Sequence, residues 1–97
     1  MHVAGAMRND GGVLIHEYST HVLSEDGRHW KARAYGKQRG EDWIGWLAFV
    51  GDDGTELPTE RETTQPDRKA IEYWAGGIEP IYLDGALRRA LEPLPAR

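Results

Sequence analysis

The side chains best suited to metal or acid–base chemistry are four histidines, at positions 2, 16, 21 and 29, and the serines Ser19 and Ser24. Their spacing does not assemble a site. His16 and His21 lie an odd number of residues apart in a segment that reads as a strand, so they face opposite ways. Glu17 and His21 share a face, but four steps of extended chain hold them about 13 Å apart. No histidine pair has metal-ligand spacing, and no Ser-His-Asp arrangement or Walker-type loop follows from the order of residues. The absence of cysteine removes disulfides, thiolate nucleophiles and thiolate metal sites, and fits a reducing cytoplasm. The glycines of "AGGIEP" read as a helix stop. Thr63, Thr64 and Gln65 in "RETTQPDR" read as helix-capping residues before they read as ligand contacts. The expectation is therefore a non-enzymatic protein without cofactor or catalytic residues.

What the sequence concentrates instead is positive charge. The stretch "RHWKARAYGKQRG", Arg28 to Gly40, carries five Lys/Arg residues and no carboxylate in a chain of formal net charge −4. From Glu41 to Glu62 the balance reverses, with seven carboxylates and one arginine. Such an overall charge argues against bulk polyanion binding but allows a local basic patch. Four Trp and four Tyr in 97 residues supply anchors for a small core or a binding surface. No apolar run approaches the roughly 20 residues of a membrane helix, and the first residues are too polar for a signal peptide.

These residues must be positioned by regular elements. Residues 1–12 read as a flexible leader, 13–92 as a single domain and 93–97 as a tail. Three segments carry strand composition: 13–24, 29–37 and 42–50. Asp26-Gly27 and a second Gly-containing turn at 38–41 connect them. Segment 55–63 is open between a fourth, edge strand and a loop, with Pro58 allowed only where its missing N–H points to solvent. A helix is expected from about Pro66 to 76, capped by Thr64 or Gln65, with Ala70, Ile71, Trp74 and Ala75 at helical spacing. Residues 78–83 read as an extended link and 84–92 as a last short helix with Leu83, Leu87 and Leu91 on one side. The fold class is thus α+β: a three-stranded antiparallel meander, or a four-stranded one, packed on a helix.

Centring the turns on Asp26-Gly27 and Arg39-Gly40 sorts the strands into two faces. One carries Ile15, Leu23, Trp30, Ala32, Ala34, Gly36, Gly45, Leu47 and Phe49. Its small centre forms a saddle that Ile71 and Trp74 would fill. The other carries Tyr18, Lys31, Arg33, Tyr35, Lys37 and Trp46, which make the candidate binding surface, with Val22 beside them. The plain reading of that face is a wet sheet surface on which Arg33 stacks over Trp46 and Lys31 lays its stem over Ala48 and Val50. The functional reading is a protein interface, simplest as a homodimer, because Tyr, Trp and Arg are the residue types of interface hot spots. The alternative is a single-stranded nucleic-acid platform, with bases on the rings and phosphates on Lys31, Arg33 and Lys37.

The segments "WKARAYGKQRGEDWIGWLAFV" and "TERETTQPDRKAIEYWA", about half the chain, resemble the partial-RNase-H-like antitoxins of the HicB type in their order of strands and helix. The Pro and Gly-Cys that follow the second strand in that family have no match here, nor does its DNA-binding tail. The stretch "RETTQPDRKAIEYWAGGIEPIYLDGAL" is also similar to small uncharacterised bacterial proteins. No catalytic or binding residue is carried over from either resemblance. The resulting expectation is a bacterial cytoplasmic interaction or regulatory domain with a protein partner and no membrane association.

Overall fold

The computed structural model describes residues 11–92. Only Gly11 and Gly12 of the expected leader fall within that range, and the tail 93–97 lies outside it. The fold is α+β. Six antiparallel strands, β1 (Val13–Glu17), β2 (Val22–Leu23), β3 (His29–Arg39), β4 (Asp42–Gly51), β5 (Glu56–Pro58) and β6 (Thr63–Gln65), form one sheet, followed by helices α1 (Arg68–Gly76) and α2 (Pro80–Leu91). The count of three or four strands is corrected to six, because each edge strand is broken into two pieces. β1 and β2 both pair with one side of β3, and β5 and β6 both pair with the far side of β4. The six strands therefore occupy four positions across the sheet.

The breaks have local causes. Pro58 closes β5, since it offers no N–H to a ladder. Thr59 bridges the gap to β6: its N–H donates to the Leu47 carbonyl at 2.8 Å, and its Oγ1 accepts from the Leu47 N–H at 3.0 Å. On the other edge a bulge at Ile15 inserts one residue between Leu14, opposite Tyr35, and His16, opposite Ala34. Such an insertion exchanges the faces of everything beyond it. Glu17 consequently sits opposite Arg33, and Tyr18 turns inward.

The same logic separates the two hairpins. Between β3 and β4 the turn is Gly40-Glu41, with Arg39 opposite Asp42 and Gly40 at φ 62°. This lies one residue beyond the expected centre, so every partner moves by two and all side chains keep their faces. Tyr35 meets Trp46, Arg33 meets Ala48 and Lys37 meets Ile44. Between β2 and β3 the slip is a single residue, with Val22 opposite Trp30 and Leu23 opposite His29. Val22 is therefore buried and Leu23 exposed, the reverse of the expected placement.

Both helices pack on the face carrying Trp30, Ala32, Ala34, Leu47 and Phe49. Asp67, not Thr64 or Gln65, caps α1, its Oδ1 accepting from the Ala70 N–H at 2.8 Å. Thr63–Gln65 belong to β6 instead. Pro80 opens α2 as its first helical residue, where proline is favoured, so 80–83 are helical and not an extended link. Ile71, Ala75, Leu83, Ala86 and Leu87 complete the core. The expected saddle is present. A Cβ on Gly45 would lie 2.8 Å from the Trp74 ring and 3.2 Å from Ile71, and one on Gly36 would lie 3.0 Å from Ile71. Gly45→Ala is accordingly expected to destabilise the protein by about 1–3 kcal/mol through overpacking. Gly76→Ala, whose Cβ meets nothing within 4 Å, should be neutral or slightly stabilising. Urea midpoints of the two variants check this contrast.

Candidate functional site

Five of the six residues expected to form a binding surface do share one face. The register places Lys31, Arg33, Tyr35 and Lys37 of β3 beside Ile44, Trp46 and Ala48 of β4. The sixth, Tyr18, is on the opposite side. Its ring belongs to the helix-covered core, and its hydroxyl donates to the Ala75 carbonyl at 2.7 Å. Burial pushes the Tyr18 hydroxyl up to about 12.

The shared face is a second small core. Tyr35, Ile44, Trp46 and Ala48 form a buried cluster to which neither helix contributes. Tyr35 and Trp46 stack with centroids 6.0 Å apart and planes 18° from parallel. Gly12 passes so close that a Cβ there would lie 2.6 Å from the indole. Trp46 is 0% exposed and Tyr35 6%. Two of its three cations are also engaged: Lys31 Nζ lies 3.4 Å and Arg33 Nε 3.7 Å from Glu17 Oε2. The Tyr35 hydroxyl, and then the nearby carboxylates, raise the Arg33 pKa against partial burial. Trp46 Nε1 and Arg33 Nε have no hydrogen-bond acceptor among the described residues. A base or a partner side chain reaching this face therefore meets a cationic rim and not open rings.

The accessible aromatic surface lies elsewhere, at the elbow between the helices. The α1 stripe Ile71, Trp74 and Ala75 turns Tyr73 outward, and Leu83, Ala86 and Leu87 of α2 do the same for Ile81. Gly77 reverses the chain by donating its N–H to the Tyr73 and Trp74 carbonyls, both at 3.2 Å. Tyr73, Trp74, Ile78, Ile81 and Tyr82 then line a groove of about 430 Å³. Tyr73 is 88% and Ile81 79% exposed, the highest values among the large apolar side chains described. Reading 78–83 as an extended link hid this cluster, because helical spacing is what groups Ile81 and Tyr82 with the end of α1.

One wall of the groove is anchored by a carboxylate that the sequence did not single out. Glu62 has a side chain only 4% exposed. It accepts from Arg89 Nη1 at 2.9 Å and Nη2 at 3.2 Å, and from the Tyr82 hydroxyl. Its own N–H donates to the Gly45 carbonyl at 2.7 Å. The network ties α2 to the strand edge and fixes the Tyr82 ring. Burial raises the Glu62 pKa, but the hydrogen bonds from Arg89 and Tyr82 outweigh it, leaving the carboxyl below its ordinary range. Burial and the Glu62 carboxylate push the Tyr82 hydroxyl up.

Among the described residues no group of three or more His, Cys, Asp or Glu side chains is placed to hold a metal ion. No described helix is long and apolar enough to cross a membrane. Comparison with known protein families, curated proteins and solved structures gives no match to this chain.

A carboxyl whose folded pKa is lowered adds stability above its unfolded value, and that stability is lost as the pH falls through the folded value. For Glu62 the window lies below pH 4.5. Between pH 6 and pH 3 the wild type is expected to lose about 1–2 kcal/mol more than Glu62→Gln, which has no charge to titrate. Urea unfolding at several pH values measures the difference. Parallel curves would show that the Arg89 and Tyr82 contacts add nothing.

Proposed function

We propose that this chain is a non-enzymatic protein-interaction module that associates with a second copy of itself through the elbow between α1 and α2. The observation that carries this reading is the grouping of Tyr73 and Ile81, the two most exposed large apolar side chains described, around one groove with Trp74 and Tyr82. Contiguous apolar surface rimmed by polar residues marks an interaction site, and Tyr and Trp are hot-spot residues. The choice of a second copy follows from charge. A two-fold interface sets a patch against its own image, which a single-sign charged surface opposes. The groove lining carries one charge, Glu79, and so tolerates its own image. An oligomer of this kind suits the interaction or regulatory role expected from the resemblance to bacterial proteins.

The sheet face takes a supporting part in this reading, as the second core that stiffens β3 and β4. A single-stranded nucleic-acid platform would require open rings, and no observation favours it over the elbow.

Sedimentation analysis across a concentration series should show a monomer–dimer equilibrium. Tyr73→Ser with Ile81→Ser should weaken it about tenfold or more, since a hot-spot side chain contributes about 2 kcal/mol. The urea midpoint should barely move, because both side chains are exposed. A wild type that stays monomeric, or a double variant that dimerises as the wild type does, overturns the reading.

A further inference from the structure

A second depression lies towards the other end of α2, between its C-terminal half and the loop joining β2 to β3. It is an open groove of about 780 Å³. Leu23, Leu87 and Leu91 line it. Leu23 is 58% and Leu91 43% exposed, so two branched apolar side chains stand in water there. The rim is acidic: Glu25, Asp26, Asp84 and Glu92 surround one cation, Arg88. Among the described residues none of these five forms an ion pair.

The rim is also preorganised. Trp30 Nε1, inside the core, donates to Ser24 Oγ at 3.1 Å. Ser24 Oγ donates in turn to Asp26 Oδ1 at 2.5 Å, and the Arg28 N–H donates to the same oxygen at 3.2 Å. The loop is thus pinned to a buried indole and holds its carboxylate in place. α2 ends at Leu91 beside the groove, so the negative end of the helix dipole adds to the attraction for a cation.

We infer that this groove docks a cationic peptide segment of a partner protein. An apolar side chain of that segment enters among Leu23, Leu87 and Leu91, and flanking Lys or Arg residues meet the carboxylate rim. Four carboxylates against one guanidinium repel an acidic segment and draw in a basic one. The leucines add a requirement that charge alone does not meet, because a purely polar cation leaves them wet. A two-fold pairing of this groove with that of a second copy does not fit, since the acidic rim would face its own image. The groove is separate from the elbow, so the docking stands or falls independently of self-association.

Fluorescence anisotropy with the full chain tests it. The probe is a short labelled peptide alternating Lys and Leu, with matched peptides carrying Ser for each Leu or Glu for each Lys. The Lys/Leu peptide should bind saturably, with affinity falling as salt rises, and both matched peptides should bind about tenfold or more weakly. Glu25→Lys with Asp84→Lys should cost about tenfold or more. Glu41→Lys with Asp42→Lys makes the same change in net charge at the far turn of the sheet and should leave affinity within about twofold. Leu23→Ser, at a largely exposed position, should weaken the Lys/Leu peptide and not the Lys/Ser peptide. No binding by the Lys/Leu peptide, equal binding of the Lys/Ser peptide, or equal weakening by the two lysine pairs would overturn the inference.

Discussion

The rest of the structure depends on the close approach of α1 to the centre of the sheet. Ala32, Ala34 and Gly36 on β3 and Gly45 on β4 leave a shallow trough with almost no side-chain volume. Ile71 and Trp74 settle into it at distances that leave no room for a methyl group at Gly45 and would crowd one at Gly36. That seating places Ala75 against Tyr18 and ends α1 where Gly77 reverses the chain. It thereby sets the angle at which α2 leaves for the opposite end of the sheet. Close packing of this kind has two consequences. The helix cannot slide without a clash, and the outer side of α1 is directed at solvent, taking Tyr73 with it.

How much of this was legible in the sequence depends on the size of each register error. A two-residue slip between β3 and β4 changed every partner and no face, so the division into Ala32, Ala34 and Leu47 against Arg33, Tyr35 and Trp46 survived it. A one-residue slip at the β2–β3 loop exchanged Val22 with Leu23. The cause is visible in the loop. Ser24 and Asp26 make side-chain hydrogen bonds that widen it, whereas an Asp-Gly pair alone suggests a two-residue turn. Tyr18 failed for a related reason. A bulge at Ile15 leaves no compositional mark, yet it carries the tyrosine from one face to the other.

Charge patterning misled in a different way. Alternation of cations with Ala and Gly along β3 correctly indicated an amphipathic strand. It could not indicate that Glu17, from the neighbouring edge, would sit within ion-pair distance of both Lys31 and Arg33. Nor does a strand pattern reveal that Trp46 would be covered without a helix. The exposed groups escaped notice because they belong to helix boundaries, where Pro80 reads equally well as the end of an extended link and as a first helical residue.

Burial on both sides also bears on where this protein can meet a partner. At the centre of the sheet, Tyr35, Ile44, Trp46 and Ala48 close one face while Ala34, Leu47 and Phe49 close the other. Strands packed from both sides have little freedom to open, and exposing their rings would uncover the largest aromatics of the fold. An interaction surface of the kind proposed would then fall on elements anchored at one side only. α2 is such an element. Its inward residues Leu83, Ala86 and Leu87 hold it to the sheet, and the Glu62 network clamps its edge. Its outer surface presents an aromatic end whose groove carries the single charge of Glu79 and an acidic, leucine-lined end. A helix fixed along its length, with two chemically different ends in water, would let the self-association and the peptide docking proposed above occur together without either requiring the core to move.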